Sequence, residues 1–254
     1  MGARARLGYL LILYPHLRWK NALGGLAELQ TALFDIEITV GAEASGPKMP
    51  FFENAKLFSR TDIRAQPHLV PAARGVYAWF FRVPPPLVPI GDCYVRDVLT
   101  LLYVGISPKN ERSRQHLRNR ITYHYCGNAE GSTLRLTLGT LLTGISDFPL
   151  RRVGSGRRMT FTHLGEQWLD LWLEQNAFVC WVEHDEPWLL EHELLQSQSL
   201  PLNIQDNRHH PFCFELSHLR QGAKQLAREM PIANEGNQQR RMLRISPISG
   251  GRSV

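Results

Sequence analysis

Residues Gly75–Val83 read GVYAWFFRV, and residues Leu101–Ile106 read LLYVGI. Both runs are rich in aromatic and β-branched residues, which favour β-strands. The prolines at 84–86 end the first run, and Ser107 and Pro108 end the second, because proline cannot donate to a strand ladder. These two predicted strands decide the fold, since the other predicted elements of the chain are arranged around them.

The residues that follow these strands alternate between helical and extended patterns. An apolar run predicts a third strand at Ala177–His184, and apolar spacings of three and four residues predict helices. The predicted helices are Ser113–Tyr125 with Ser113 as its N-cap, Thr133–Leu142, His163–Asn176 and Trp188–Gln198, which Pro187 opens. Three short strands surrounded by helices indicate a layered α/β (α+β) domain with a small three-stranded sheet.

This pattern divides the chain into three segments. Residues 71–215 hold the strands and helices, and residues 1–70 form an N-terminal extension of unknown role. Within that extension, Leu23–Phe34 has helical spacing and Phe34–Val40 alternates like a strand. Residues 216–254 combine a C-terminal helix with a flexible tail rich in Asn, Gln, Gly, Ser and Arg.

The composition is that of an ordinary globular protein with a basic bias. Hydrophobic residues make up 43% and charged residues 20% of the chain, and the net charge is +6 with a pI of about 9.3. The basic bias fits a polyanionic partner such as nucleic acid, although many proteins share it. The four cysteines lie at least 33 residues apart, which excludes zinc-ligand spacing and disfavours a disulfide framework.

Membrane and targeting signals are weak in this sequence. No stretch reaches the ~18 apolar residues that span a bilayer, so no membrane partner is expected. The apolar run Leu7–Tyr14 is short and is followed by His16, Arg18 and Trp19 rather than by a small-residue cleavage site. We interpret this run as a buried strand or the start of a helix, and we expect a cytoplasmic location.

One carboxylate lies within an apolar helical face. In the predicted helix Trp188–Gln198, Glu191 falls between the leucines at 190, 194 and 195, whereas Glu193 points away from them. Burying a charge is costly unless it is paired or binds a metal. Glu191 is therefore either a rim or arginine-paired glutamate, or a metal ligand.

Four further side chains are candidates for a site. Arg120 and His124 lie four residues apart beside the apolar line of their helix, which suits either a solvated edge or a catalytic pair. Tyr77 and Tyr103 lie in the first two strands, where tyrosine is common. Each residue carries little information by itself, and their order along the chain carries more.

In that order, these residues resemble the GIY-YIG nuclease superfamily. Gly75-Val76-Tyr77 is similar to the GIY element, and Tyr103-Val104-Gly105 is similar to the YIG element. The family's arginine, often followed four residues later by a histidine or tyrosine, corresponds to Arg120 and His124. The resemblance implies the GIY-YIG fold, in which a three-stranded antiparallel sheet is flanked by helices.

The later motifs extend the resemblance to residues 71–207. The family's metal-binding glutamate corresponds to Glu191, and the asparagine twelve residues later corresponds to Asn203. Where some members carry a lysine directly after YIG, this chain has Ile106, and Lys109 is the candidate replacement. The 26-residue spacing of the two tyrosines is similar to the restriction-endonuclease branch, which makes Gly127–Leu142 an insertion on the common core.

The resemblance implies an endonuclease that hydrolyses DNA phosphodiester bonds with a single divalent ion. Glu191 would hold Mg²⁺ or Mn²⁺, and Arg120 would hold the scissile phosphate. Tyr77 or Tyr103 would position or deprotonate the attacking water, and the resemblance favours Tyr77 with assistance from His124. Asn203 would brace these catalytic residues.

Several residues outside this set are candidates for DNA contact. Gly105 ends a strand and leaves room for a backbone or a phosphate to come close. Four arginines bracket a Val-Gly-Ser-Gly turn and form either a mobile basic finger or a solvated loop. The full set of candidates is Gly105, Lys109, Arg118, Arg151, Arg152, Arg157 and Arg158.

Two alternatives to a nuclease stay open on the sequence. One is a nucleic-acid-binding module of the same fold that has lost catalysis, and the other is an unrelated α/β protein whose motifs match by chance. The target site, a role in restriction, repair or mobile elements, and the oligomeric state, including a homodimer, also stay open.

Overall fold

The computed structural model describes residues 50–236 of the chain. The predicted elements at Leu7–Tyr14, Leu23–Phe34 and Phe34–Val40 lie outside the described residues. In chain order the described elements are α1 (Pro50–Glu53), α2 (Arg60–Ala65), a 3₁₀ turn (Pro67–Leu69), β1 (Gly75–Phe81), β2 (Val95–Arg96), β3 (Leu99–Ser107), α3 (Leu117–Cys126), α4 (Thr133–Ser146), β4 (Arg151–Val153), β5 (Arg158–Thr160), α5 (Thr162–Asn176), β6 (Ala177–Glu183), α6 (Pro187–Ser197) and α7 (Phe212–Glu229). Among these helices, none is long and apolar enough to cross a membrane.

The central sheet has the strand order β2-β3-β1-β6, and each neighbouring pair is antiparallel. The mixed α/β class is confirmed, but the prediction of three strands was one strand short. The missed strand, β2, contributes only Val95 and Arg96 to a hairpin with β3. Two residues are too few for an alternating pattern to show in the sequence.

Both faces of the sheet are covered, because its central strand β1 is buried along its whole length. Tyr77, Trp79 and Phe81 belong to the core cluster on one face, which includes side chains of α3, α4, α5 and α7. The intervening residues Val76, Ala78 and Phe80 belong to the cluster on the other face, which includes leucines of α6. A strand packed on both sides must be apolar throughout, which explains the unbroken run in the sequence.

Helix α3 begins four residues later than predicted, and Ser113 is not its N-cap. The side chain of Asn110 accepts hydrogen bonds from the main-chain amides of Arg112 and Ser113, so this stretch forms a turn. The cap is His116, whose side chain accepts from the amide of Asn119. The amide of Leu117 then donates to Ala73 O at 3.0 Å, which ties the start of α3 to the segment before β1.

The predicted Gly/Ser loop at 151–158 is instead a β-hairpin in which β4 pairs with β5. Its turn contains Gly154 and Gly156, both with positive φ, a conformation that glycine adopts without strain. Arg152 donates to the carbonyls of Ala227 and Met230, where α7 ends. The interpretation as a mobile finger was therefore wrong, because long-range main-chain acceptors fix the hairpin against α7.

A buried ion network joins the helices on the tyrosine face of the sheet. Arg135 of α4 is fully buried and contacts Glu166 and Asp170 of α5, each at 2.8 Å. The same guanidinium donates to the carbonyls of His124 and Tyr125 at the end of α3. A second arginine, Arg60 of α2, contacts Asp170 at 2.7 Å. Four helices, α2, α3, α4 and α5, are thus held together beside His124.

We predict that Arg135→Met lowers the free energy of unfolding by about 3 kcal/mol, because it removes the buried cation that contacts Glu166, Asp170 and the carbonyl of His124. Urea unfolding followed by tryptophan fluorescence measures the effect. Arg158→Met, at an exposed position, is the control and should change stability by less than about 0.5 kcal/mol. Equal effects of the two substitutions would contradict the structural importance of the network.

Candidate active site

A cavity of about 420 Å³ opens beside the YVG segment of β3. Its walls come from β1, β3, α3, α4, α6, the loop after α6, and α7. The structure brings seven of the predicted site residues to this cavity: Tyr77, Tyr103, Gly105, Lys109, Arg120, Glu191 and Asn203. His124 lies directly behind Tyr77, whereas Arg118 and the four hairpin arginines do not line the cavity.

The two tyrosines are brought together by strand register. Tyr77 of β1 pairs with Gly105 of β3, and Trp79 pairs with Tyr103, so both phenols lie on the same face. Their ring centroids are 6.5 Å apart. A Cβ atom on residue 105 would lie 2.5 Å from the Tyr77 hydroxyl oxygen. The space expected at Gly105 for DNA is therefore filled by the Tyr77 phenol.

Tyr77 is the first member of a buried chain of hydrogen bonds. Its hydroxyl lies 2.9 Å from Nε2 of His124, and Nδ1 of His124 lies 2.7 Å from the hydroxyl of Ser132. Ser132 is the N-cap of α4 and accepts from the amide of Arg135 at 3.1 Å. Both ring nitrogens of His124 are engaged, so the imidazole orientation is determined.

Burial keeps the side chains of Tyr77 and His124 neutral in the free protein. Burial is the main reason why the pKa of His124 lies well below its usual value, and the nearby positive charges of Arg120, Arg135 and Lys109 add to the effect. Burial also raises the pKa of Tyr77 well above its usual value, whereas the charge of Arg120 lowers that pKa. Added positive charge in the cavity would therefore favour the Tyr77 phenolate.

Arg120 extends from α3 into the cavity wall and is partly buried. One of its Nη atoms donates to the carbonyl of Gly131 at 3.0 Å, which holds the side chain along the start of α4. Its charge acts on both tyrosines, because it lowers the pKa of Tyr77 and that of Tyr103. The remaining guanidinium donors are suited to an anion in the cavity.

Glu191 supplies a carboxylate at the cavity, as its place between buried leucines of α6 predicts. Its carboxylate has no hydrogen bond or ion pair with another residue in the range 50–236, and Glu193 on the same helix is exposed. Burial raises the pKa of Glu191 to about 7, although the charge of Lys109 lowers it and that of Asp206 raises it further. An unpaired, partly buried carboxylate of this kind is stabilised by a cation.

The donor set fits a hard divalent ion. Within the described part of the chain, no three His, Cys, Asp or Glu side chains group together as ligands. One carboxylate oxygen ligand beside an open cavity suits Mg²⁺, which dehydrates reluctantly and keeps several of its waters. Glu191 is the residue that would hold it.

Asn203 acts on the backbone of β3 rather than on the cavity contents. Its side-chain oxygen accepts from the amide of Val104 at 3.0 Å, and its side-chain nitrogen donates to the carbonyl of Val104 at 2.8 Å. Both polar ends of the amide are therefore used inside the YVG segment. This pair fixes the loop after α6 to the strand that carries Tyr103.

The sequence reasoning missed several residues that line the cavity. Arg220 of α7 is the most notable, because α7 lies beyond the segment that carried the resemblance. Thr133 and Thr137 of α4 and Asp206 of the loop after α6 also face the cavity. None of them belongs to a short motif, and only the tertiary contacts of α4 and α7 place them here.

A comparison with known families covers the segment that holds these residues. A family model described as the GIY-YIG catalytic domain matches residues 75–222, which is more than half of the chain. The match begins at Gly75 of β1 and extends to Gly222 of α7, so it includes Arg220. No curated protein and no solved structure gives a significant match to the chain.

We predict that Glu191→Gln stabilises the metal-free protein at high pH. Between pH 4.5 and about 7, the unfolded chain releases a proton that the folded protein retains, so stability falls as pH rises through this window. The variant should exceed the wild type by about 1–3 kcal/mol at pH 8 in EDTA and match it near pH 4. Urea unfolding at the two pH values measures this difference, and Glu193→Gln, on the exposed side of α6, should show none.

We predict that Gly105→Ala destabilises the fold by about 1–3 kcal/mol, because the new methyl group displaces the Tyr77 phenol. Gly222→Ala is the matched control, since a Cβ at that helical position meets nothing within 4 Å. The control should stabilise the protein by up to about 1 kcal/mol through helix propensity. Thermal unfolding of both variants and of the wild type measures these differences. A Gly105→Ala protein as stable as the wild type would refute the proposed packing of Tyr77 on Gly105.

Proposed function

The chain belongs to the GIY-YIG family of nucleases, and from this premise we propose that it is an endonuclease that hydrolyses DNA phosphodiester bonds with one divalent metal ion. The observation that carries the proposal is the convergence of Tyr77, Arg120 and Glu191 on one cavity. These groups are respectively suited to a water molecule, a phosphate and a metal ion. Phosphodiester hydrolysis requires all three to be placed together.

Arg120 holds the scissile phosphate in this proposal. Its guanidinium is always charged and can donate two parallel hydrogen bonds to phosphate oxygens. The bond to the carbonyl of Gly131 occupies one Nη atom and leaves other donors for the substrate. A preorganised donor in a partly buried site stabilises the charge that develops on the phosphorus group.

Tyr77 positions the attacking water, and once its hydroxyl proton has left to solvent its phenolate accepts a proton from that water. His124 is the residue that orients Tyr77. The 2.9 Å contact between the two fixes the tyrosine hydroxyl. The depressed pKa of His124 disfavours an imidazolium, so His124 serves as a neutral hydrogen-bond partner. The charge of Arg120 favours the phenolate form of Tyr77, which the reaction needs.

Glu191 holds the metal, and Mg²⁺ or Mn²⁺ is the proposed ion. Such an ion, when bound, neutralises charge on the leaving oxygen and on the phosphate. Lys109 provides a further positive charge near Glu191. We propose that it replaces the lysine that some family members carry at the position of Ile106. Asn203 is a positioning residue for β3.

DNA outside the cavity is proposed to contact exposed cations. Arg157 and Arg158 at the hairpin turn are exposed and remain candidates. Arg151 and Arg152 are weaker candidates, because they donate to main-chain carbonyls near the end of α7. Arg118 is likewise engaged, since it donates to the carbonyl of Val70 at 2.7 Å.

We predict that the wild-type protein nicks supercoiled plasmid DNA with Mg²⁺ and not with EDTA. Glu191→Gln should lose cleavage while keeping DNA binding, because the side-chain shape is retained and the metal-binding charge is lost. Tyr77→Phe should lower the cleavage rate by about 10²–10⁴-fold. Agarose-gel separation of nicked and supercoiled forms measures the rates.

Glu193→Gln is the matched control and should cleave like the wild type, since Glu193 is exposed on the other side of α6. Equal activities of the two glutamate variants would show that the carboxylate or the chemistry is wrong. Binding without cleavage by the wild type would instead support a non-catalytic nucleic-acid-binding module.

A further inference from the structure

Arg220 is a half-buried cation in the wall of the cavity. It lies on α7, in the electrostatic range of Tyr103. Its guanidinium forms no hydrogen bond or ion pair with any other residue between positions 50 and 236. The other arginines in this part of the fold differ, since Arg120, Arg135 and Arg152 each have acceptors at or below 3.2 Å.

Partial burial of a guanidinium without a protein acceptor is unfavourable, because its N–H donors lose part of their hydration and gain no protein partner. Burial lowers the pKa of Arg220 for the same reason. The position is nevertheless held rigidly. Helix α7 packs on α4 and β4, and Arg152 ties its end to the hairpin. A cation that is held in place, faces a cavity and has no acceptor among the described residues is suited to an anionic group from outside the protein.

We propose that Arg220 is a second phosphate-binding residue, which holds the backbone of the cleaved DNA strand from the α7 side of the cavity. The inference rests on the proposed nuclease function. The chemistry favours phosphate, because the planar fork of a guanidinium matches two phosphate oxygens and the DNA backbone must enter this cavity to react. Helix α7 is thus part of the substrate site and not only a C-terminal support.

Binding of a short fluorescein-labelled DNA duplex, measured by anisotropy in EDTA, tests the proposal. All proteins carry Glu191→Gln so that no cleavage occurs. Adding Arg220→Ala should raise Kd about tenfold or more, as expected for the loss of a charge-assisted hydrogen bond. The slope of log K against log[salt] should decrease by roughly 0.9, the value for one lost phosphate contact. Arg220→Lys keeps the charge and should give an intermediate Kd.

Arg228→Ala is the matched control, because it removes the same charge from an exposed position on the same helix. It should change Kd and the salt slope much less than Arg220→Ala does. Thermal unfolding without DNA separates binding from folding. Arg220→Ala should be as stable as the parent protein, since the guanidinium has no hydrogen bond or ion pair with the described residues to lose, whereas a structural role would lower the melting temperature.

The outcomes distinguish this inference from the proposed function. If the parent protein binds DNA and Arg220→Ala behaves like Arg228→Ala, the role of Arg220 is refuted. A lower melting temperature for Arg220→Ala refutes it as well. If the parent protein does not bind DNA and the wild type does not nick plasmid, the nuclease function fails, and the role of Arg220 fails with it.

Discussion

The phenol of Tyr77 fills the space over Gly105 that any other residue would occupy with a Cβ atom. This contact needs the register in which the two residues face each other across β1 and β3. It places the Tyr77 hydroxyl against Nε2 of His124 and beside Tyr103. The rest of the site depends on it, because a shift of one residue between β1 and β3 would place the two tyrosines on opposite faces of the sheet.

Burial and charge act in opposite directions within the site. Desolvation keeps Tyr77 and His124 neutral and raises the pKa of Glu191 to about 7. The positive charges of Arg120 and Lys109 favour the ionised forms of Tyr77 and Glu191, respectively. The free protein therefore holds groups whose ionisation becomes favourable when partners of opposite charge enter. This arrangement fits the proposed metal ion and phosphate, whose opposite charges would compensate each other.

The helices outside the motifs provide the support and a wall of the cavity. Arg135 joins α4, α5 and the end of α3, and so restrains His124 from behind. The segment predicted as an insertion forms α4, whose N-cap Ser132 contacts the same histidine. Helix α7 then adds Arg220 to the cavity. The residues of the family's short motifs line the cavity, and these additional helices determine how it is closed.

The sequence by itself determined what depends on local pattern. Apolar runs predicted β1, β3 and β6, and helical periodicity separated Glu191 from Glu193 and set Arg120 beside His124. Only the tertiary structure showed the two-residue strand β2 and the hairpin at 151–160. It also showed the hydrogen bonds between Asn203 and Val104 and the position of Arg220 in the cavity wall. The physical reason is the sequence separation of the residues that are in contact. Periodicity reports which face of one element is buried, whereas these features depend on contacts between residues far apart in the chain, such as Asn203 and Val104, which no local pattern encodes.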